Sequence, residues 1–116
     1  MVRLKQGDVI KVSFNPQQGH EQAGYRPAII VSNKIMNDHT TVVYACPVTH
    51  TNRNSPFHIE LKNYVFVDGF VMCEQMKCMD ISARNCVKVG ELNEADVIQI
   101  IDRIDMLIEK ELLSQC

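Results

Sequence analysis

The sequence predicts a mainly β domain with one C-terminal α-helix. Between residues 8 and 14, apolar residues alternate with polar ones, as in a strand with one buried face. Further short apolar or β-branched segments cover residues 28–31, 41–48, 57–61, 69–79 and 86–89. From residue 93 onward the apolar residues recur at helical spacing instead. We therefore expect a single domain over residues 1–116, a small, mostly antiparallel, SH3-like β-barrel closed by a helix.

The helix has a clear start signal. Asn93 is a good N-cap residue, and the acidic Glu94 and Asp96 follow in the first turn, where they favour the helix dipole. Leu92 and Val97 are placed to pack against each other across the cap. The apolar stripe of this helix consists of Val97, Ile101, Ile104, Ile108 and Leu112. This pattern predicts one amphipathic helix of about 18 residues that packs on the sheet.

Composition narrows the class of protein. Hydrophobic residues make up 46% of the 116 residues, and their longest runs are too short to span a bilayer. The N-terminus lacks the apolar core of a signal peptide, so we expect a cytoplasmic protein without a membrane partner. A net charge of −2 is unlike that of a general nucleic-acid binder. Any RNA site must therefore be a local groove.

The cysteines favour neither a metal site nor a disulfide framework. The chain has five, an odd number, and no two of them form a Cys-x-x-Cys pair. We expect free thiols that act as small apolar side chains in strands. The sequence also lacks a Walker motif and a His-Glu-x-x-His motif, so we expect no metal and no cofactor.

Three segments resemble a known family. Residues 21–27 read Glu-Gln-Ala-Gly-Tyr-Arg-Pro, after a Gly-Asp pair at residues 7–8 that opens the first strand. Residues 47–49 read Pro-Val-Thr, and residues 68–69 read Asp-Gly, followed by Glu-Gln-Met-Lys at 74–77. In this order and spacing the chain resembles the MazF/PemK family of toxins from type II toxin–antitoxin systems. The resemblance extends over roughly residues 6 to 108.

The resemblance implies a function. Members of that family are ribosome-independent endoribonucleases that cut single-stranded RNA at short sequences, act as homodimers and need no metal. Their products carry a 2′,3′-cyclic phosphate and a 5′-hydroxyl, and a cognate antitoxin protein blocks the RNA groove. The family's functional positions match Arg26 and Thr49 in this chain.

The chemistry of these two side chains suits such a reaction. Cyclising cleavage uses the 2′-hydroxyl of the RNA as nucleophile, and the enzyme must stabilise a charged phosphorane. The planar guanidinium of Arg26 can hold two phosphate oxygens and stays charged at any working pH. The hydroxyl of Thr49 can donate a hydrogen bond to another phosphate oxygen.

The general base is left open by the sequence. Glu21 has two roles open to it, as the base or as the group that holds Arg26 in place. His20 stands where relatives often carry serine; it is a proton shuttle near neutral pH or an exposed loop residue. His50 is a rival, although in a strand it would point away from the Thr49 side. We expect His58 to face solvent on an outward strand face.

Contacts to RNA are expected from polar residues around these positions. Asn52 and Arg53 lie in a polar loop after Thr49, and Gln22 lies in the first motif. Side chains of these types can read or hold the exposed bases of a single strand. Lys77 is a candidate contact to the RNA backbone.

Two other functions compete with RNA cleavage. Gyrase-poisoning toxins of the CcdB type share the barrel fold but lack the Glu-Gln-x-Gly-x-Arg-Pro loop. A non-catalytic RNA- or peptide-binding barrel is the second alternative, since a fold alone does not fix the chemistry. The presence of Arg26 and Thr49 in their motifs argues against both.

Overall fold

The computed structural model describes residues 3–15, 24–51 and 54–111. The strands of this part are β1 (Asp8–Ser13), β2 (Tyr25–Ile30), β3 (Val42–Thr49), β4 (His58–Leu61), β5 (Gly69–Met72), β6 (Lys77–Asp80) and β7 (Val87–Glu91). The helices are α1 (Lys34–His39) and α2 (Glu94–Ile108), with 3-10 turns at Cys73–Gln75 and Ile81–Ala83. Neither α-helix is long and apolar enough to cross a membrane.

The strands form one antiparallel half-barrel. Its order is β4-β5-β3-β2-β1-β7, and β6 also pairs with β3. All the strand pairs among the described residues are antiparallel. The predicted architecture, a small antiparallel β-fold with a C-terminal helix, is confirmed.

The prediction of one strand over residues 69–79 was wrong, because two strands share one edge of β3. β6 pairs with β3 as far as Ala45, and β5 pairs with it from Val48 onward. The carbonyl of Tyr44 faces β2, where it accepts from Val31 N, so the main chain of Pro47 faces the other edge. Proline has no N–H to donate there, and the facing chain leaves the ladder as the 3-10 turn Cys73–Gln75.

Helix α2 begins where the sequence predicts. The side chain of Asn93 accepts a hydrogen bond of 2.8 Å from the backbone N–H of Asp96. The helix has 15 residues, and Ile100 and Ile104 are buried against the sheet. Ile108, predicted to belong to the buried stripe, is instead 71% exposed. Ile104 is the last buried residue of α2, so the helix packs on the sheet only as far as that turn. Leu112 lies outside the described residues.

Apolar side chains fill both faces of the sheet. The cluster beneath α2 includes Val9, Ile29, Val48, Ile59, Val71, Ile100 and Ile104, and we term this side the helix face. The opposite side, which we term the far face, is filled by Leu4, Ile10, Val12, Phe14, Ala28, Ile30, Val43 and Met79. Neighbouring strand residues belong to opposite clusters because side chains alternate along a strand. The face of each remaining strand residue follows from this alternation.

Candidate functional site

Arg26 lies on the far face, where β2 emerges from the apolar core. It is the second residue of β2, pairs with Val12 of β1 and shares its face with Ala28. Gly24 precedes the strand at a φ of +83°, and its carbonyl accepts from Phe14 N, which closes the β1–β2 pair. The strand that carries Arg26, β2, is therefore held in place by β1 on one side and by β3 on the other.

Thr49 lies opposite Arg26 on the neighbouring strand. The β2–β3 register ends with Ala28 paired to Pro47, and continuing it by two residues in each strand sets Arg26 across from Thr49. The hydrogen bond from Arg26 to the carbonyl of Val48, the residue before Thr49, agrees with this continuation. Val48 belongs to the helix-face cluster, so Thr49 points to the far face as Arg26 does. The structure thus brings the two sequence-predicted residues together.

A hydrogen bond links the two strands at this point. The Arg26 guanidinium Nη1 donates to the carbonyl oxygen of Val48 at 3.3 Å. The Thr49 hydroxyl oxygen accepts from Thr51 N at 3.2 Å, which leaves its proton available for donation. A cationic fork and a hydroxyl donor are therefore held next to each other on one surface.

Phe70 adds an aromatic group that the sequence analysis missed. It is paired directly with Thr49 in the β3–β5 register, so their Cα atoms are about 5 Å apart. Val71 belongs to the helix-face cluster, which places Phe70 on the far face with Arg26 and Thr49. The alternation of side chains along residues 69–72 was the sequence signal that could have placed Phe70 on this face.

His58 is not solvated as the sequence predicts. Its side chain is only 8% exposed, and its Nε2 lies 3.0 Å from the Glu74 carboxylate. The 3-10 turn brings Glu74 to this position, aided by a hydrogen bond from Cys73 N to the Phe57 carbonyl. The other ring nitrogen, Nδ1, is buried and has no hydrogen-bond partner. Since the Glu74 carboxylate can only accept, His58 Nε2 is the donor of this hydrogen bond.

The other described histidines lie in exposed positions. His50 Nε2 is 3.1 Å from Asp68, and both side chains are more than three-quarters exposed. His39 closes α1, with Nδ1 2.7 Å from the Ile35 carbonyl.

Lys77 lies on the far face but at some distance from Thr49. It pairs with Ala45, four residues before Thr49 on β3, which corresponds to about 13 Å along the strand. The remaining predicted site residues, His20, Glu21, Gln22, Asn52 and Arg53, lie outside the described residues. Their roles stay predictions.

Two cysteines are ruled out as nucleophiles by burial. Desolvation raises the pKa of the Cys73 thiol to about 11 and raises the pKa of Cys46 further still. Both thiols are therefore protonated at neutral pH, and the thiol is a poor nucleophile. Cys78, by contrast, is exposed, against the expectation of an apolar strand residue. Among residues 3–15, 24–51 and 54–111, no three His, Cys, Asp or Glu side chains gather as metal ligands.

Known proteins share this fold and sequence. A family described as PemK-like, MazF-like toxins of type II toxin–antitoxin systems matches residues 5–108. The endoribonuclease toxin MazF of Escherichia coli K12 is 33% identical over 102 residues, covering 88% of this chain and 91% of the relative. The crystal structure of MazF from Deinococcus radiodurans superposes with a TM-score of 0.87 at 27% identity, covering 95% and 100% of the two chains. A MazE–MazF complex from the same organism gives 0.81 at 27% identity, covering 96% and 100%.

We expect Glu74→Ala to lower the free energy of unfolding by about 1–3 kcal/mol, because it leaves the buried N–H of His58 without an acceptor. Glu60→Ala is the matched control: this glutamate forms an exposed ion pair with Lys62 at 3.6 Å, so its loss should change stability by less than about 1 kcal/mol. Urea unfolding monitored by circular dichroism measures both. Equal effects of the two substitutions would contradict the role given to Glu74.

Proposed function

Because the chain belongs to the family of PemK-like, MazF-like toxins of type II toxin–antitoxin systems, we propose that it is an endoribonuclease that cuts single-stranded RNA. The observation that carries the proposal is the placement of Arg26 opposite Thr49 on one face of the sheet. The relative from Escherichia coli K12, which is 33% identical to this chain over 102 residues, is named an endoribonuclease toxin, which supports the same reaction. We further propose that cleavage is sequence-specific and independent of the ribosome.

The reaction proposed is an internal transfer at phosphorus. The 2′-oxygen of the RNA attacks the adjacent phosphorus, its proton passes to a base, and the bond from phosphorus to the 5′-oxygen breaks. The leaving 5′-oxygen takes up a proton, so the products are a 2′,3′-cyclic phosphate and a 5′-hydroxyl. The nucleophile is already held near phosphorus by covalent geometry, an advantage that can be worth roughly 7–11 kcal/mol.

In this scheme the chain contributes electrostatics and positioning. Arg26 neutralises the charge that builds on the phosphorane oxygens, and Thr49 donates a hydrogen bond to one of them. Both groups are on strands, so little reorganisation is needed as the charge develops. His20 and Glu21 remain the candidates for the base and for the group that holds Arg26.

The partner proposed is an antitoxin that covers the site. An RNA-cutting enzyme in the cytoplasm damages its own cell, so its activity must be masked. The related Deinococcus protein has been solved as a MazE–MazF complex. We propose a disordered acidic and apolar segment, because its carboxylates compete with phosphate for Arg26 and a flexible chain can wrap a large surface.

A homodimer is the proposed assembly. An apolar groove of about 260 Å³ runs between α1, β3 and the last turns of α2, and its apolar lining includes Met36, Tyr44, Met76, Ile101, Ile104 and Ile108. Ile108 and the neighbouring Ile35 are both more than 70% exposed. A second copy of the chain, related by a two-fold axis, would bury Ile35 and Ile108 of the first copy in its groove. The Ile35 and Ile108 side chains of the second copy would in turn be buried in the groove of the first. It would also lengthen the surface that RNA can follow.

Arg26→Ala should lower the single-turnover cleavage rate by about 10²–10³-fold, because a transition-state donor is lost. Thr49→Ala should act in the same direction. The free energy of unfolding should change by about 1 kcal/mol at most. Arg3→Ala is the control, since this arginine is exposed and pairs loosely with Asp38 at 3.8 Å. The proposal fails if Arg26→Ala cuts a long single-stranded RNA at nearly the wild-type rate.

An RNA with a single 2′-deoxy nucleotide on the 5′ side of the cut bond should bind normally and resist cleavage there, because only the nucleophile is removed. Cleavage of unmodified RNA should persist in excess EDTA. Gel mapping of the fragments measures both. Cutting of the deoxy substrate at that bond, or a loss of activity that magnesium restores, would mean that water attacks instead.

Light scattering at micromolar concentration should give about twice the chain mass of 13.2 kDa. Ile108→Asp places a charge in the apolar groove and should shift the protein to monomer. Ile98→Asp is the matched control, since Ile98 is also exposed on α2 but does not line the groove. A wild-type protein that is monomeric yet fully active would refute the assembly.

A further inference from the structure

Phe70 has a surface that the fold does not use. It is half-buried and belongs to neither apolar cluster of the described residues. Phe14 is buried in the far-face cluster, and Phe66 packs against Tyr64 with ring centroids 5.4 Å apart. A partly exposed aromatic ring on the far face, next to Thr49, therefore needs another explanation.

The backbone fixes Phe70 close to Thr49. Gly69 has a φ of +116°, a conformation that favours glycine, and a Cβ there would lie only 2.5 Å from the Thr49 carbonyl oxygen. The missing side chain lets β5 approach the end of β3. Phe70 consequently lies one strand from Thr49 and two strands from Arg26, all on one face.

The negative net charge of the chain explains why an exposed aromatic ring would help to bind RNA. A protein with a net charge of −2 gains little general attraction to phosphates, so it must hold RNA by local contacts. Aromatic rings bind the unstacked bases of single strands by stacking, whatever the base. When a phosphate lies between Arg26 and Thr49, the bases of the two nucleotides that it joins are within reach of the neighbouring strand, β5.

We propose that Phe70 is a base-binding residue that stacks on one of the two nucleobases flanking the cut phosphate. The stacked base holds the phosphate between Arg26 and Thr49, and because stacking tolerates every base, sequence choice comes from other residues. The inference rests on the proposed function, since it needs RNA on the far face.

A fluorescence experiment reports the stacking directly. The chain contains no tryptophan, so Phe70→Trp introduces a single probe at the site. Its emission should be quenched by an RNA that carries the mapped cut site and a 2′-deoxy nucleotide that prevents cleavage. Val65→Trp is the control, because Val65 is fully exposed in the turn between β4 and β5. Quenching of both variants alike, or of neither, would overturn the inference.

A second experiment, based on binding of the same RNA, does not depend on how the tryptophan variant folds. It asks whether the effect of removing a base depends on the ring of Phe70. An abasic nucleotide on one side of the cut phosphate should weaken binding to the wild type and to Phe70→Tyr by about tenfold to a hundredfold. The same abasic change should cost Phe70→Leu less than about twofold, since its ring is already missing. Equal losses for the wild type and Phe70→Leu at both flanking positions would overturn the inference while leaving RNA cleavage intact. A wild type that neither binds nor cuts RNA would overturn the proposed function as well.

Discussion

The register between β2 and β3 is the constraint on which the site depends. Pairing of Ala28 with Pro47 places Arg26 opposite Thr49, and alternation sends both side chains to the far face. The register is held because Ala28 and Ile29 are buried in clusters on opposite faces of the sheet. A slip by one residue would exchange these faces and point Arg26 toward α2. The apolar core thus determines the geometry of a polar site that lies beyond its edge.

Most of the fold follows from local patterns, and the misses arise from contacts between distant parts of the chain. Alternation located β1, and Asn93 located the start of α2. The break between β5 and β6 depends on Pro47, which lies on a different strand and has no N–H to offer. Helix α1 has no buried residue, so the periodicity of the sequence gives it no signal. The exposure of Ile108 depends on how far the packing beneath α2 extends, which the helix alone does not encode.

The site was predictable as a set of residues but not as an arrangement. The Glu-Gln-x-Gly-x-Arg-Pro and Pro-Val-Thr segments pointed to Arg26 and Thr49, yet their adjacency rests on strand pairing. His58 was misjudged because alternation indicates a face but not what covers it, and Glu74 reaches it only through a turn that the sequence does not predict. Phe70 was overlooked because its significance appears only when β5 is placed beside Thr49.

We propose that Arg26 and Thr49 act together on one phosphate, and a double-mutant cycle tests this proposal most directly. The single-turnover cleavage rate would be measured for the wild type, Arg26→Ala, Thr49→Ala and the double variant on one RNA with a mapped cut site. Groups that stabilise the same phosphorane are coupled, so the double variant should lose much less than the product of the two single losses. Losses that multiply would show that the two residues act independently, and the paired site described here would be wrong.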